Sequence, residues 1–238
     1  MNKINIKFIK YFYLIICLLL PAISYAANPN SNLKVKKFDA MVGSMPNFFK
    51  ENIYLLIDNE TKQVAIVDPG NRSRDLEDYI ANKGLTVSMI LNTHGHHDHV
   101  GANDYYSNKY GVNVFVSYLD EDFYAGHFSD SSVAKDLNII DQIKFGSREI
   151  KVIKNPGHTP GSVSFLIENV LFSGDTLFKG SIGRTWGILE EKKKTQAQEI
   201  ANIKNKLLAL PDSTKVYPGH GEPTTIGYER ANNKFLVD

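Results

Sequence analysis

Seven consecutive residues, Thr93-His94-Gly95-His96-His97-Asp98-His99, hold four histidines and a carboxylate directly after the apolar run Val87-Ser88-Met89-Ile90-Leu91. The run reads as a buried strand, so the cluster must sit at its end. Neutral imidazole and carboxylate are ligands of borderline metals such as zinc, and crowding them in an ordinary surface loop has no electrostatic purpose. In extended backbone, residues i and i+2 point the same way, which lets His94 and His96 close on one ion. Asp98 and His99 are neighbours and share a direction only if the chain turns, as at the start of the helix indicated by Gly101-Ala102-Asn103-Asp104. That turn aims the second pair at a second ion.

Three more stretches end an apolar strand in a metal-binding side chain. His158 lies in Asn155-Pro156-Gly157-His158-Thr159-Pro160-Gly161, Asp175 closes Val170-Leu171-Phe172-Ser173-Gly174-Asp175, and His220 closes Lys215-Val216-Tyr217-Pro218-Gly219-His220-Gly221. Loops on a rigid scaffold are where functional groups gather. A single His-X-His is weak as a signal, whereas five histidines and two aspartates in this context leave little room for a purely structural explanation.

These segments resemble the metallo-β-lactamase superfamily, and within it the hydroxyacylglutathione hydrolase (glyoxalase II-like) branch of short, single-domain type. The shared pattern is Thr-His-X-His-X-Asp-His, Pro-Gly-His-Thr-Pro-Gly-Ser, Ser-Gly-Asp-Thr-Leu-Phe with Gly-Ser-Ile-Gly-Arg-Thr, and Tyr-Pro-Gly-His-Gly, spread over roughly residues 34–236. The resemblance implies a four-layer αββα sandwich of α/β class with the metals at one edge between two sheets. It implies two Zn2+ per chain, with Fe or Mn as alternatives: His94, His96 and His158 on the first ion, Asp98, His99 and His220 on the second, and Asp175 bridging both. The aspartate of Asp68-Pro69-Gly70 matches a group that orients a metal-bound histidine; a cap on the helix starting near Arg72 is the competing role, and the two are compatible.

At the amino terminus Lys3, Lys7 and Lys10 precede an apolar run from Tyr11 to Leu20, and Pro21 to Ala26 ends in small residues. The pattern predicts a signal peptide over residues 1–26, cut after Ala26, and a hydrolase domain over 27–238 that is exported to the periplasm or secreted. The run is shorter than the roughly 20 residues of a membrane span, which favours a cleaved leader over a stable anchor. Ile16 before Cys17 is not the small residue that lipidation prefers. Cleavage removes the sole cysteine, and with it any disulfide or thiolate ligand. It also removes three lysines and turns the formal charge of +1 slightly negative. Neither length nor charge points to a nucleic-acid partner; a small-molecule substrate is expected. The sequence is silent on oligomeric state.

Strands are expected at Leu33–Ala40, Asn52–Ile57, Val64–Val67, Val112–Val116, Glu149–Ile153, Val163–Ile167, Val170–Phe172 and Thr214–Tyr217, with a turn at Asp58-Asn59-Glu60. Helices are expected at Asp75–Lys83, Tyr105–Tyr110 and about Glu190–Leu210. The last presents Ile200, Ile203, Leu207 and Leu210 inward and Lys192–Lys194, Gln196, Glu199 and Lys204 to water, and stops at Pro211. Between 117 and 148 the pattern is weaker. Tyr118, Phe123, Tyr124 and Phe128 read as core, with the mouth of the site as the alternative for them and for Asp120, Glu121 and Asp122. His127 reads as a loop histidine, and His97, at the variable motif position, as no ligand. Ser162 and Ser173 look structural.

Two divalent ions sharing a water lower its pKa from near 16 to about 7 and so make a hydroxide nucleophile for a carbonyl carbon. Asp98 and Asp175 are then the catalytic carboxylates, the first steering the hydroxide and the second fixing the metal spacing. A thioester, as in hydroxyacylglutathione, is the first expectation. Glyoxalase II proper carries a further helical domain for glutathione, which this sequence does not show, and Trp186 stands where an aspartate usually follows Gly-Arg-Thr. A lactonase shares every metal ligand. The well-known zinc β-lactamases lack the bridging aspartate, and a persulfide dioxygenase holds one iron rather than two zincs. A non-catalytic zinc module would need a blocked or fully coordinated site.

Overall fold

The computed structural model describes residues 32–44, 47–126, 130–185 and 187–237. The expected leader, Cys17, His127, Phe128 and Trp186 lie outside them. The chain runs β1 (Leu33–Ser44), β2 (Asn47–Asp58), β3 (Gln63–Val67), α1 (Arg74–Asn82), β4 (Thr86–Leu91), α2 (His97–Val100), α3 (Asn103–Tyr110), β5 (Val114–Val116), α4 (Glu121–Tyr124) and β6 (Ala134–Asp136). It continues as β7 (Gln142–Phe145), β8 (Arg148–Lys154), β9 (Val163–Ile167), β10 (Val170–Gly174), β11 (Leu177–Phe178), β12 (Ser181–Ile182), α5 (Leu189–Asn202), β13 (Lys215–Pro218), β14 (Thr224–Thr225) and α6 (Ile226–Asn232).

Strands in the order β1-β2-β3-β4-β5-β6 form one sheet and β14-β13-β10-β9-β8-β7 the other. Alternation along each strand builds the layers. In β2, Ile53, Leu55 and Ile57 face α1 and α3 together with Leu76, Ile80 and Tyr106, while Tyr54 and Leu56 face the opposite sheet. In β9 and β10, Val163, Phe165, Ile167, Val170 and Phe172 meet them between the sheets. Leu166 and Leu171 point outward onto Ile203, Leu207 and Ile226. Helix, sheet, sheet, helix is the expected four-layer sandwich, and the near-continuous apolar strands follow from burial on both faces. Among the described residues no helix is long and apolar enough to cross a membrane.

Several elements differ from expectation. The first two strands extend to Ser44 and begin at Asn47, because backbone pairing runs unbroken from Leu33↔Asp58 to Ser44↔Asn47. Ser73 caps α1 by accepting from the Leu76 N–H, so the helix starts later than Arg72 and Asp68 is free for another task. The long helix changes at Ile203 to π-type turns over Ile203–Leu207, which keep Ile203 and Leu207 against the sheet. Glu199, expected in water, is fully buried, because its side of α5 packs on the backbone around Gly157 and Gly183; a Cβ at Gly157 would collide with the Glu199 side chain. Tyr118 and Phe123 are 44% and 42% exposed rather than core, since the short turns on either side of Asp120 lie over the sandwich edge; Tyr124 alone of the described trio is buried.

Candidate metal centre

Four strand ends deliver the seven predicted ligands to one edge of the sandwich. The loop after β4 carries His94 and His96 and leads into α2 with Asp98 and His99; β8, β10 and β13 end before His158, Asp175 and His220. Three groups of ligand atoms come together, each within 4.8 Å: His94, His96 and His158; His94, His99 and Asp175; and Asp98, His99 and His220. His97 turns outward, its side chain 61% exposed.

The hydrogen bonds fix the imidazole tautomers. Asp68 accepts from the Thr93 N–H at 2.8 Å and the Thr93 hydroxyl at 2.7 Å, so the Thr93 oxygen, 3.1 Å from His94 Nδ1, accepts from that nitrogen. His158 Nδ1 donates to the Arg184 carbonyl and His220 Nδ1 to the Lys50 carbonyl, both at 2.7 Å. In the neutral rings the Nε2 atoms of His94, His158 and His220 therefore face inward as lone pairs. His94 Nε2 and His158 Nε2 lie 3.1 and 3.0 Å from His96 Nδ1. Nitrogens bound tetrahedrally to zinc at about 2.0–2.1 Å stand about 3.3–3.4 Å apart, so these nitrogens lie a few tenths of an ångström closer than the edges of a zinc coordination shell. His99 Nε2 and Asp175 Oδ1 are buried without a hydrogen-bond partner, which a cation would supply. The donor set thus fits a binuclear metal group.

Charge is matched across the cluster. Burial and neighbouring imidazoles hold His94 well below its ordinary value and His96 at about 4, which keeps both neutral. For His99 burial is outweighed by Asp175, Asp68 and Asp98, and its pKa is raised. Burial opposes ionisation of Asp98, but His220 and His99 prevail and hold its carboxyl well below the usual range. Asp175 spans the site, with Oδ1 3.4 Å from His99 Nε2 and Oδ2 3.6 and 3.5 Å from His158 and His220 Nε2.

Asp68 orients the site as expected: besides holding Thr93, its Oδ2 lies 3.2 Å from His99 Nδ1. Other supports carried no sequence signal. Asn52 and Tyr54 donate to the Pro218 carbonyl at 2.9 and 2.8 Å and pin the His220 turn across the two sheets. Gly219 has to be glycine, since a Cβ there would strike Asp175 Oδ1 and His99 Cε1. Buried Glu51 lies 3.9 Å from His99 Nδ1, and Asp120, hidden in an acidic triplet, is a fully buried anchor. Asp120 accepts from the Gly95 N–H at 2.9 Å, the Thr159 hydroxyl at 2.7 Å and the Gly161 N–H at 2.7 Å, and so ties the two metal-facing loops together. Ser162 and Ser173 are structural: Ser162 Oγ accepts from the Thr159 N–H and Ser173 Oγ donates to the Leu177 carbonyl.

Neither carboxylate oxygen of Glu199 has a well-aligned hydrogen-bond partner. Burial, with Asp175 adding and the Gly183 N–H opposing, pushes its pKa from 4.5 to about 8. Between these values the folded chain holds a proton that the unfolded chain releases, so the contribution of Glu199 to stability is full below pH 4.5, falls between 4.5 and 8, and is flat above. Glu199→Leu is expected to stabilise the fold by about 1–4 kcal/mol at pH 8.5 and by less at pH 5. Denaturant unfolding of both proteins at the two pH values checks this; equal pH dependence contradicts it.

The cleft over the cluster, about 930 Å3, is walled by Phe49, Phe178 and Ile182 with Lys50 and Arg184 at its rim. The Metallo-beta-lactamase superfamily model matches residues 46–220, and the chain belongs to that superfamily. It is 34% identical to the hydroxyacylglutathione hydrolase GloC of Haemophilus influenzae over 203 residues, 79% of this chain and 93% of that one. Among solved structures it is similar to the BLEG-1 B3 metallo-beta-lactamase, at 32% identity and TM-score 0.70 over 86% of this chain and all of that one. It is also similar to TTHA1623, solved in a di-iron-bound form, at 31% identity and TM-score 0.65 over 84% of this chain and all of that one.

Proposed function

We propose that the chain is an exported binuclear zinc hydrolase acting on a thioester of the hydroxyacylglutathione kind or a related ester. The observation that carries the reading is the convergence of bare ring nitrogens and two carboxylates at the floor of an open cleft. His94, His96 and His158 would hold one ion, Asp98, His99 and His220 the other, with Asp175 between them. Bound there, the ions would supply an activated water at neutral pH and polarisation of the substrate carbonyl. Asp98 turns Oδ2 toward His220 Nε2 at 3.3 Å and His99 Nε2 at 3.6 Å, and its carboxylate would orient the attacking water. The carbonyl hydrogen bonds of His158 and His220 hold their rings against rotation, and Phe49 and Phe178, beside the His220 ring, shield that side from bulk water.

Similarity to GloC supports the thioester, and the amino-terminal pattern of lysines, apolar run and small residues supports export. Similarity to BLEG-1 supports a β-lactam as the second reading, and similarity to the di-iron protein supports iron as the second metal. Hydrolysis of S-lactoylglutathione, a simple lactone and a β-lactam by the mature protein tests the reading. Preferential thioester turnover is expected; preference for the lactone or the lactam overturns the substrate, and turnover of none overturns the hydrolase.

A further inference from the structure

A second pocket, about 500 Å3, opens beside the metal cleft on the far side of His158. Leu119 and Phe123 form one wall, Pro156 and Pro160 the floor, and Thr195 and Gln198 of α5 the other wall. His158 lines both cavities, and the Phe123 ring stands edge-on to His96 at 4.9 Å, so the pocket borders the first group of predicted ligands. Leu119 is 60% exposed and Phe123 42%, an apolar surface that a folded chain leaves open at a cost unless something covers it.

The two cavities differ in chemistry. Apart from His158, no ionisable side chain among the described residues lines the second, whereas Lys50, also paired with Asp39, and Arg184 stand at the rim of the first. A molecule whose carbonyl lies over the cluster, with one arm in each cavity, meets cations on one side and only apolar and neutral polar groups on the other. Volume and lining of the second pocket are those of a small-ligand subsite.

We infer that the pocket between Leu119, Phe123 and α5 binds the acyl arm of the substrate, and that this arm is an aliphatic chain of several carbons rather than a short hydroxyacyl group. The inference rests on the hydrolase reading above and names the substrate class within it. Each methylene buried there contributes about 0.8 kcal/mol when burial is complete, so kcat/KM rises about two- to fourfold per carbon in a half-open pocket.

The test is a series of glutathione thioesters from acetyl to octanoyl, with wild type, Leu119→Asp and Gln198→Asp. Both substituted positions are exposed and neither touches the cluster, so the series is compared within each protein: the ratio of octanoyl to acetyl kcat/KM is expected to fall toward one in both variants. A flat series in wild type, or an unchanged slope in both variants, overturns the inference with the hydrolase reading intact. Should no thioester be turned over, the hydrolase reading falls and calorimetry with S-octyl- and S-methylglutathione, which cannot be hydrolysed, decides the pocket. Tighter octyl binding that Leu119→Asp abolishes supports the pocket, and equal binding overturns it.

Discussion

Replacing Asp175 by alanine is expected to lower kcat/KM at least about 10³-fold, a loss near 4 kcal/mol of transition-state stabilisation. The size follows from position. Among the described residues Asp175 is the carboxylate whose oxygens reach imidazole nitrogens of both predicted ligand sets, at 3.4, 3.6 and 3.5 Å. Without it, His99 loses the strongest of the charges that oppose its burial, and no other described carboxylate reaches both predicted ligand sets. Metal content is expected to fall by one ion per chain while the metal-free variant keeps its circular dichroism spectrum. Asp175→Glu keeps the charge but pushes into the space closed by Gly219, and is expected to recover metal better than activity. Wild-type kcat/KM with two bound ions in the alanine variant would contradict the bridging role.

Asp120→Ala is expected to cost about 3–5 kcal/mol of stability and about 10² in kcat, although Asp120 touches neither metal position nor substrate. Its carboxylate accepts from Gly95, between His94 and His96, and from Thr159 and Gly161, which flank the turn after His158. Removing it leaves two buried N–H groups and a hydroxyl without their acceptor, and unpaired buried donors cost more than the bonds they replace. The loops holding three of the ring nitrogens are then free to separate. Slack of about 1 Å in such geometry is enough for the rate loss. Asp120→Asn retains one acceptor oxygen and should fall between the two. Guanidinium unfolding with metal present, together with kcat at saturating metal, separates the effects; an alanine variant within 1 kcal/mol of wild type would contradict the anchoring role.

The ligand cluster was legible because metal chemistry restricts residue type: seven side chains of the right kind, each after an apolar strand, have few other uses. The four layers were legible for a related reason, since strands such as Ile53–Ile57 and Val163–Ile167 are apolar on both faces. What escaped were groups whose role depends on the third dimension. Glu199 sits in a helix with lysines and a glutamine around it, and only the glycine backbone packed against its side of the helix shows that it is interior. Asp120 shares its triplet with two exposed acids, and nothing local marks it as the one that turns inward. Phe123 fails in the other direction: aromatic character predicts burial, but the ring is spent on the cleft beside His96. Strand ends were misjudged where the apolar pattern stops and backbone pairing does not, as at Met41–Ser44.

The cluster is expected to hold two metal ions at once. Elemental analysis of the mature protein, purified without chelators, after stripping and stepwise return of Zn2+, measures it most directly when hydrolysis is followed in the same samples. Close to two zincs per chain are expected, with thioester turnover that disappears on stripping and returns as both positions fill, and a ceiling of one ion in Asp175→Ala. A single tightly held iron, with oxygen uptake on a persulfide and no hydrolysis after zinc is restored, would contradict this expectation and leave only the fold.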